Sequence, residues 1–286
     1  MNARQKLRAA IESGRPVFAP LCLNPLAARI TEQLGYGAGY LSGGALGYEL
    51  AVSEALLTLT ELANATRQIT RRSGLPLIAD GGVGFGDAVH TASAIWELEA
   101  AGAAAIELED QIAPKRVSHH RGVEHLVPTD EMTAKLEVAA KARSDPDFLI
   151  IARTGAVRNE SFEAAIERAR AYRAAGADLL MLFPTSEEQW ESAPRLLDAP
   201  LAAIAPLGAR TPEAWSKLGW SLVIDPFTGQ LLAVKALRDA YASFAAAGGT
   251  GFEPGPEFWQ AYRELADLAG LEELYDIERR TTERGT

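Results

Sequence analysis

Short apolar runs alternate with longer stretches of helical period along the chain. Eight runs of four or five residues are predicted as strands, and most lack the polar alternation of half-exposed strands, as expected of parallel strands buried on both faces. Strands that alternate with helices through short connections predict a parallel sheet, and eight such units predict closure into a (β/α)8 TIM barrel. The predicted strands are Val17–Pro20, Ala38–Leu41, Pro76–Ala79, Ala104–Leu108, Phe148–Ala152, Asp178–Leu182, Leu201–Ile204 and Ser221–Ile224.

Two of these units resemble copies of one another. The segments LEAAGAAAIELED and YRAAGADLLMLFP each run from an amphipathic stretch through a glycine into an apolar run. Gly102 and Gly176 stand where a helix must stop before the next strand, because glycine is favoured just past a helix C-terminus. The predicted helices include Leu59–Arg72, Gly86–Ala101, Thr129–Arg143, Ser161–Ala175, Glu187–Leu197 and Leu231–Ala247.

The chain is predicted to form one domain over residues 1–286, because no low-complexity linker interrupts it. Residues 253–274 form a C-terminal helical extension beyond the eight units. An apolar stripe on a helix has to be covered, so we expect the extension to pack on a barrel end or on a neighbouring subunit. The stripe consists of Phe258, Tyr262, Leu265 and Leu268.

Charge and composition exclude several classes of protein. A net charge of −10 argues against a nucleic-acid binder, which needs a basic face to replace counterions on phosphates. Cys22 is the single cysteine, so neither an intrachain disulfide nor a cysteine-based metal cluster can form. The sequence shows neither a secretory signal nor the apolar run of about eighteen residues that spans a membrane. We therefore expect a cytoplasmic protein without nucleic-acid or membrane partners.

Charged residues follow several predicted strands at their carboxyl ends, where the active site of such a barrel lies. Asp80 follows the third strand, Glu109 and Asp110 the fourth, Arg153 the fifth and Asp225 the eighth. Carboxylates and an arginine at one barrel mouth suit a hard divalent cation beside an anionic substrate. The alternative is that individual acids cap the following helices or pair with surface bases.

The longest irregular segment, Asp110–Gly122, follows the fourth strand. Long loops on the catalytic face of a barrel are commonly lids, and this one would bring positive charge and a proton donor over an anion. His119 and His120 are adjacent and are expected to diverge, so that only one faces the pocket. The alternative is a solvated loop that merely offsets the acidic surface. Its cationic residues are Lys115, Arg116, His119, His120 and Arg121.

Four sequence blocks together resemble the isocitrate lyase/phosphoenolpyruvate mutase superfamily, over nearly the whole chain. They are YLSGG at 40–44, ADGGVGFG at 79–86, IELEDQ at 106–111 with PKR at 114–116, and IART at 151–154. The resemblance implies a barrel whose last helix is swapped between subunits, a homotetramer built as a dimer of dimers, and Mg²⁺ in the site. It also implies cleavage or formation of C–C or C–P bonds next to a carboxylate, through an enolate of pyruvate or a related 2-oxo acid.

The resemblance also implies roles for individual residues. Asp80 would bind Mg²⁺, Glu109 would support it through water, and Glu54 stands where the family has an outer-shell aspartate. Arg153 would hold the oxyanion side of a small anionic carboxylate substrate. The carboxylate and oxo group of that substrate would be held by Ser42, Gly43 and Gly44. The gating loop would contribute Lys115, Arg116 and His119.

The chain departs from this family pattern at several positions. Gly82 replaces the second aspartate of an Asp-x-Asp pair, and Val117 stands where isocitrate-type lyases carry a cysteine that donates a proton. An asparagine usual in phosphonopyruvate-forming members is absent from the loop, and Gly155 and Thr185 replace usual acidic residues. Without the thiol, one of the two loop histidines is the best available acid–base group, unless water quenches the enolate.

Three hypotheses follow for the function. The first is a magnesium-dependent lyase or decarboxylase that cleaves a C–C bond in a small 2-oxo or 2-hydroxy carboxylic acid through an enolate. The second keeps the superfamily and changes the bond, as in a phosphonopyruvate hydrolase or a phosphoenolpyruvate mutase. The third is a non-catalytic barrel that binds a ligand, although buried charges at a pore mouth argue against a pure scaffold.

Overall fold

The computed structural model describes residues 1–283 and, within them, eight β-strands. Each strand lies within one residue of its predicted bounds at either end. The predicted barrel units are therefore confirmed. Strands β1 to β8 are Val17–Pro20, Gly39–Leu41, Leu77–Asp80, Ala105–Glu109, Leu149–Arg153, Leu179–Met181, Leu201–Ile204 and Leu222–Asp225.

All pairings between these strands are parallel, in the order β1-β8-β7-β6-β5-β4-β3-β2. The two ends of this order meet through a single parallel bridge between Leu21 and Tyr40, where the Cys22 amide donates to the Tyr40 carbonyl at 2.8 Å. The sheet thus closes almost completely. The result is the predicted (β/α)8 TIM barrel with additional C-terminal helices.

Thirteen α-helices accompany the strands within the described residues. Short 3-10 turns lie at Glu54–Leu56, Val117–Arg121 and Leu207–Ala209. Helices α1 to α13 are Ala3–Glu12, Pro25–Gln33, Gly43–Glu49, Leu59–Thr70, Ala88–Ala100, Thr129–Ala142, Ala156–Asn159, Phe162–Ala174, Glu187–Leu196, Pro212–Leu218, Thr228–Ala247, Pro256–Ala269 and Leu271–Thr281. None of the described helices has the length and apolar character needed to cross a membrane.

The two similar sequence units end their helices in the same way. Gly102 after α5 and Gly176 after α8 adopt φ values of +91° and +108°, a left-handed conformation that glycine takes without a steric penalty. In each unit the glycine amide and the next amide donate back to carbonyls of the last helical turn, at 3.1 Å in all four cases. This arrangement is the Schellman motif. The glycine positions predicted from the sequence are therefore confirmed.

Side chains alternate between the barrel interior and the layer beneath the helices. On β4, Ala105 packs in the interior cluster, whereas Ile106 and Leu108 pack in the outer cluster. On β5, Leu149 and Ile151 are interior, and Ile150 is outer. Because this alternation has a period of two, the third and fifth residues of β4 and the last residue of β5 must also point inward. These three positions carry charged side chains.

The chain divides into two compact units, Met1–Thr228 and Gly229–Thr286. The first contains all eight strands, and the prediction of one domain over the whole chain stays a prediction. The helix expected within residues 253–274 is present as α12, and α13 follows it after Gly270. No residue between Gly229 and Glu283 is buried. The exposed large apolar side chains there include Leu231, Leu237, Tyr241, Phe244, Trp259, Tyr262, Leu265 and Ile277.

Candidate active site

Charged residues from three neighbouring strands meet at the carboxyl mouth of the barrel. Asp80, Glu109 and Arg153 are the last residues of β3, β4 and β5. Asp80 and Glu109 are only 6% and 2% exposed, and Arg153 Nη2 lies 3.1 Å from Glu109 Oε2. The structure therefore brings together the three strand-end residues on which the sequence analysis depended. Glu54, from the turn after α3, joins them.

A fourth acid, Glu107, was missed by the sequence analysis. It lies in the middle of β4, points into the barrel and is fully buried. Tyr40 Oη donates to Glu107 Oε2 at 2.7 Å, and Arg153 Nη1 donates to Glu107 Oε1 at 2.8 Å. Glu107 thereby fixes one edge of the Arg153 guanidinium. Its spacing of two from Glu109 was the available signal, because alternate residues of a strand share a face.

Asp80 is held by two backbone amides. Gly43 N donates to Asp80 Oδ2 and Gly82 N donates to Asp80 Oδ1, each at 3.0 Å. Burial, followed by the negative charges of Glu107 and Glu54, raises the pKa of Asp80 to about 7. Lys115 and Arg153 oppose this rise and do not cancel it.

The predicted gating loop reaches into the site through two of its side chains. The side chain of Lys115 is 6% exposed and forms ion pairs with Glu54 and, at 2.6 Å, with Glu109 Oε1. His119 Nε2 lies 3.2 Å from the other carboxylate oxygen of Glu54. Burial opposes ionisation of Glu54, but the hydrogen bond with His119 and the charge of Lys115 outweigh it and lower the pKa to about 2. Arg116 is exposed instead, and its side chain does not line the site.

The expectation that His119 and His120 diverge is wrong. Their ring centroids lie 3.9 Å apart, and both rings line the same cavity. His120 Nδ1 and Nε2 contact Tyr48 Oη at 3.1 Å and Ser53 Oγ at 3.0 Å. The compact 3-10 turn at residues 117–121 keeps the two rings on one side, so His120 ties the loop to the segment that carries Glu54.

Two strand-end acids have structural roles, and that of Asp225 is the helix capping that the sequence analysis held as an alternative. Asp225 accepts hydrogen bonds from the amides of Leu207 and Thr228, at 3.0 Å each, and so begins α11. Asp110 points away from the mouth and accepts from Thr154 Oγ1 at 2.6 Å and Tyr172 Oη at 2.8 Å. Asp110 therefore supports the site by anchoring the loop after β5 to α8.

A cavity of about 300 Å³ lies at the barrel mouth. Arg153, Asp80 and Glu54 form its charged side, and His119 and His120 approach from the loop. Its remaining lining comes from β2 and the segment after it, from the chain after β6, from the end of β7 and from the chain after β8. The lining also includes Tyr40, Ser42, Gly44, Tyr48, Phe183, Ile204, Pro226 and Phe227.

The donor set at this mouth fits a hard divalent cation. Asp80 and Glu54 place oxygens 3.3 and 3.1 Å from the position that a Cβ would take on Gly43, so their carboxylates are neighbours. Glu54 Oε1 is also 3.9 Å from the Cβ position of Gly82, the residue that replaces an expected aspartate. Within residues 1–283 no three His, Cys, Asp or Glu side chains form a ready-made metal cage. Mg²⁺ does not require one, because it usually retains several waters and uses one or two carboxylates.

A family model described as phosphoenolpyruvate phosphomutase matches residues 7–245 of the chain. The chain is 33% identical over 285 residues to 2,3-dimethylmalate lyase of Eubacterium barkeri, a match that covers 97% of this chain and 98% of that protein. It is 41% identical over 238 residues to 2-methylisocitrate lyase of Aeropyrum pernix, covering 80% and 76% of the two chains.

The solved structures similar to this chain include one with a metal and a small dicarboxylate. A phosphonopyruvate hydrolase in complex with oxalate and Mg²⁺ superposes with a TM-score of 0.86 at 31% identity, covering 99% of this chain and all of the other. The match in fold thus extends over the barrel and the C-terminal helices. The resemblance found in the sequence blocks is confirmed by each of these comparisons.

Proposed function

We propose that this chain is a magnesium-dependent carbon–carbon lyase or decarboxylase that acts on a small 2-oxo or 2-hydroxy acid. The chain belongs to the phosphoenolpyruvate phosphomutase family and is an enzyme of the isocitrate lyase/phosphoenolpyruvate mutase superfamily. The observation that carries the proposal is that Arg153, Asp80 and His119 line one cavity at the barrel mouth. Such a cavity offers a cation for an oxyanion, a carboxylate for a metal and an acid for proton transfer.

Arg153 would stabilise the charge that develops when a C–C bond next to a carboxylate breaks. The departing fragment leaves its electron pair on an enolate, and donors aimed at the enolate oxygen lower the barrier more than they stabilise the ground state. Glu107 and Glu109 hold the guanidinium in place through contacts of 2.8 and 3.1 Å. A divalent cation held by Asp80, with Glu54 and Glu109 nearby, would supply Lewis-acid polarisation of the same substrate oxygens.

His119 would return a proton to the enolate carbon. Its Nδ1 faces the Arg116 carbonyl at 2.6 Å and its Nε2 faces the Glu54 carboxylate at 3.2 Å. Both neighbours are acceptors, and two acceptors favour the form of the ring in which both nitrogens carry a proton, the imidazolium. Burial opposes this charge, but the hydrogen bond to Glu54 raises the pKa of His119 above its usual value. The imidazolium replaces the thiol acid that Val117 removes.

The cavity favours C–C over C–P chemistry. A phosphonate carries up to two negative charges besides the substrate carboxylate, whereas Arg153 is the one arginine or lysine that faces this cavity among the described residues. Phe183, Ile204 and Phe227 instead present apolar surface, which suits an alkyl substituent. The similarity to a phosphonopyruvate hydrolase keeps C–P cleavage as the second candidate.

A screen of substrates tests the proposal directly. Purified protein would be incubated with 2-oxo diacids, alkyl-substituted 2-hydroxy diacids and phosphonopyruvate, with Mg²⁺ or with a chelator, and the products followed by mass spectrometry. We expect C–C cleavage of a dicarboxylate that requires Mg²⁺. Phosphate release from phosphonopyruvate alone would favour the second candidate, and turnover unaffected by the chelator would contradict the metal dependence.

Replacing His119 by asparagine should lower turnover by about a hundredfold or more, the usual effect of losing a general acid. The variant would be compared by steady-state kinetics on the substrate found in the screen. His125→Asn is the matched control, because His125 is exposed and does not line the cavity. Wild-type turnover in His119→Asn would mean that the proton comes from water and that the loop only covers the site.

We also propose a homo-oligomer, a tetramer by the resemblance, held partly by the C-terminal helices. Helices α11 to α13 carry many large apolar side chains, and none of the described residues from Gly229 on is buried. Trp259 and Tyr262 on α12 are 51% and 61% exposed. A second copy of the chain is the natural cover for these side chains, since isolated apolar helix faces are rarely left in water.

A further inference from the structure

Tyr48, His120 and Ser53 form a hydrogen-bonded relay at the rim of the mouth cavity. His120 Nδ1 lies 3.1 Å from Tyr48 Oη, and His120 Nε2 lies 3.0 Å from Ser53 Oγ. Tyr48 and His120 are exposed and both line the cavity, whereas Ser53 does not line it. The relay therefore joins a hydroxyl outside the cavity to a phenol at its rim.

The relay has one proton more than its own hydrogen bonds use. Burial, followed by the positive charge of His119, lowers the pKa of His120, so its ring is neutral at pH 7 and carries one N–H. Together with the two hydroxyls the relay holds three protons, and each of its two hydrogen bonds uses one. The spare proton lies on Ser53 Oγ when the ring donates to serine, and on Tyr48 Oη when the ring donates to tyrosine.

An anion in the cavity selects the second of these arrangements. Tyr48 lines the cavity and Ser53 does not, so the phenol proton is the one that can reach a bound acceptor. In this arrangement Ser53 Oγ donates to His120 Nε2, and His120 Nδ1 donates to Tyr48 Oη. Hydrogen bonds in a chain polarise one another, so a phenol that accepts from the imidazole becomes a better donor itself.

The other side-chain donors that line the cavity have partners or assigned roles. Tyr40 Oη donates to a buried carboxylate at 2.7 Å, and both ring nitrogens of His119 face acceptors of the protein. Arg153 is assigned to the enolate oxygen, and Ser42 to the first carboxylate of the substrate. Among the described residues, the phenol of Tyr48 is thus the donor that remains for a second carboxylate.

The position of Tyr48 also suits a group at the far end of a short substrate. Tyr48 stands one helical turn after Gly44 on α3, about 6 Å along the helix and on the same face. Its ring lies 6.3 Å from that of Phe227, and Phe227 Cζ is 3.2 Å from the position that a Cβ would take on Gly44. The phenol is therefore close to the segment that would hold the first carboxylate, but separate from it.

We propose that Tyr48 binds the second carboxylate of a dicarboxylic substrate, with His120 and Ser53 as positioning residues that turn its proton toward the cavity. The inference rests on the proposed function, and it adds the reason why this site prefers a diacid to the matching monoacid. A neutral donor is needed at this place, because Arg153 is the one arginine or lysine that faces the cavity among the described residues.

Replacing Tyr48 by phenylalanine tests the proposal, because it removes the proton and keeps the ring. The dissociation constants of malate and of 2-hydroxybutanoate, in which a methyl group replaces one carboxylate of malate, would be measured by titration calorimetry with Mg²⁺. We expect wild type to prefer malate and Tyr48→Phe to lose that preference by about tenfold or more, the usual effect of a lost hydrogen bond to a charged group. Its affinity for 2-hydroxybutanoate should stay unchanged, which a merely structural role of Tyr48 would not predict.

Tyr36→Phe is the matched control, because Tyr36 precedes β2 at the opposite end of the barrel and should leave the preference intact. An unchanged preference for malate in Tyr48→Phe overturns the inference and leaves the proposed function standing. Equal binding of the two acids by wild type, or binding of neither, would instead refute the proposed diacid substrate, and the inference with it.

His120→Phe tests the relay separately from the donor. The variant retains a ring beside His119 and removes both nitrogens. We expect the preference for malate to fall several-fold, less than in Tyr48→Phe, because the phenol keeps its proton and loses its orientation. A wild-type preference in His120→Phe would overturn the positioning role of the relay.

Discussion

Asp80→Ala should abolish both the magnesium-dependent activity and the thermal stabilisation by Mg²⁺. Asp80 is buried at the end of β3, beside Glu54, and its pKa is raised to about 7 in a site with more acids than cations. A divalent cation compensates this imbalance, and a Lewis acid contributes several kcal/mol to stabilisation of the transition state. Since each ~1.4 kcal/mol is a factor of ten, we expect turnover to fall by about a thousandfold or more. Thermal melting and steady-state kinetics with varied Mg²⁺ measure the two effects.

Glu109→Gln is the variant with which the metal response of Asp80→Ala should be compared. Glu109 pairs with Lys115 and Arg153, and its proposed support of the metal acts through water, so its loss should weaken the metal response less than the loss of Asp80. The metal-free Asp80→Ala protein should still fold, because it loses only the acceptor of two backbone amides, at about 1–3 kcal/mol each. A full metal response in Asp80→Ala would contradict the assignment, and a larger loss in Glu109→Gln would reverse the order of the two acids.

Arg153→Lys should lower kcat/KM by about a hundredfold to a thousandfold, although the positive charge is retained. The guanidinium contacts Glu107 with Nη1 and Glu109 with Nη2, so its plane is fixed where Arg153 lines the cavity. A lysine ammonium is a point charge and does not reproduce this bidentate arrangement. Loss of one donor to a developing oxyanion typically costs that factor.

Arg158→Lys is a matched control for this experiment. The guanidiniums of Arg153 and Arg158 lie over the Phe183 ring at 4.9 and 5.0 Å, but Arg158 is exposed and does not line the cavity. We expect kcat/KM of Arg158→Lys to remain near that of wild type, with thermal melting to check that both variants fold. An equal loss in the two variants would show that packing on Phe183, and not oxyanion stabilisation, explains the effect.

The strands and the strand-end charges could be predicted because both follow from local pattern. Buried parallel strands are short apolar runs, and their carboxyl ends lie at one mouth. Local pattern did not decide which strand-end acids face the cavity. Glu109 lies within β4 at a position whose side chain points into the barrel, because alternate residues of a strand share a face. Asp110, one residue later, points to the other side and contacts Tyr172 on α8. A shift of one residue separates a site acid from a supporting acid.

The environment of the loop could not be predicted from its own sequence. A run with five cationic groups is equally compatible with a solvated loop and with a lid, because the difference lies in partners far away in the chain. Lys115 and His119 are ordered by Glu54, which precedes them by more than sixty residues. Glu107 was overlooked for the same reason. An ionisable residue inside a strand is costly unless it is paired, and its partners Tyr40 and Arg153 lie on β2 and β5.

The charged side and the apolar side of the mouth cavity come from different parts of the barrel. The charged side is formed by residues of β2 to β5 and their hydrogen bonds. Phe183, Ile204 and Phe227 come instead from the chain around β6 to β8. None of these three side chains donates or accepts in the Glu107–Arg153 network. Phe183 also packs against the Arg153 guanidinium, at 4.9 Å. Substitutions at Ile204 and Phe227 are therefore the simpler way to change the size and shape of an acceptable substrate while the charged residues of β3 to β5 are kept. Proteins descended from this chain could therefore accept a different substrate and keep the same reaction.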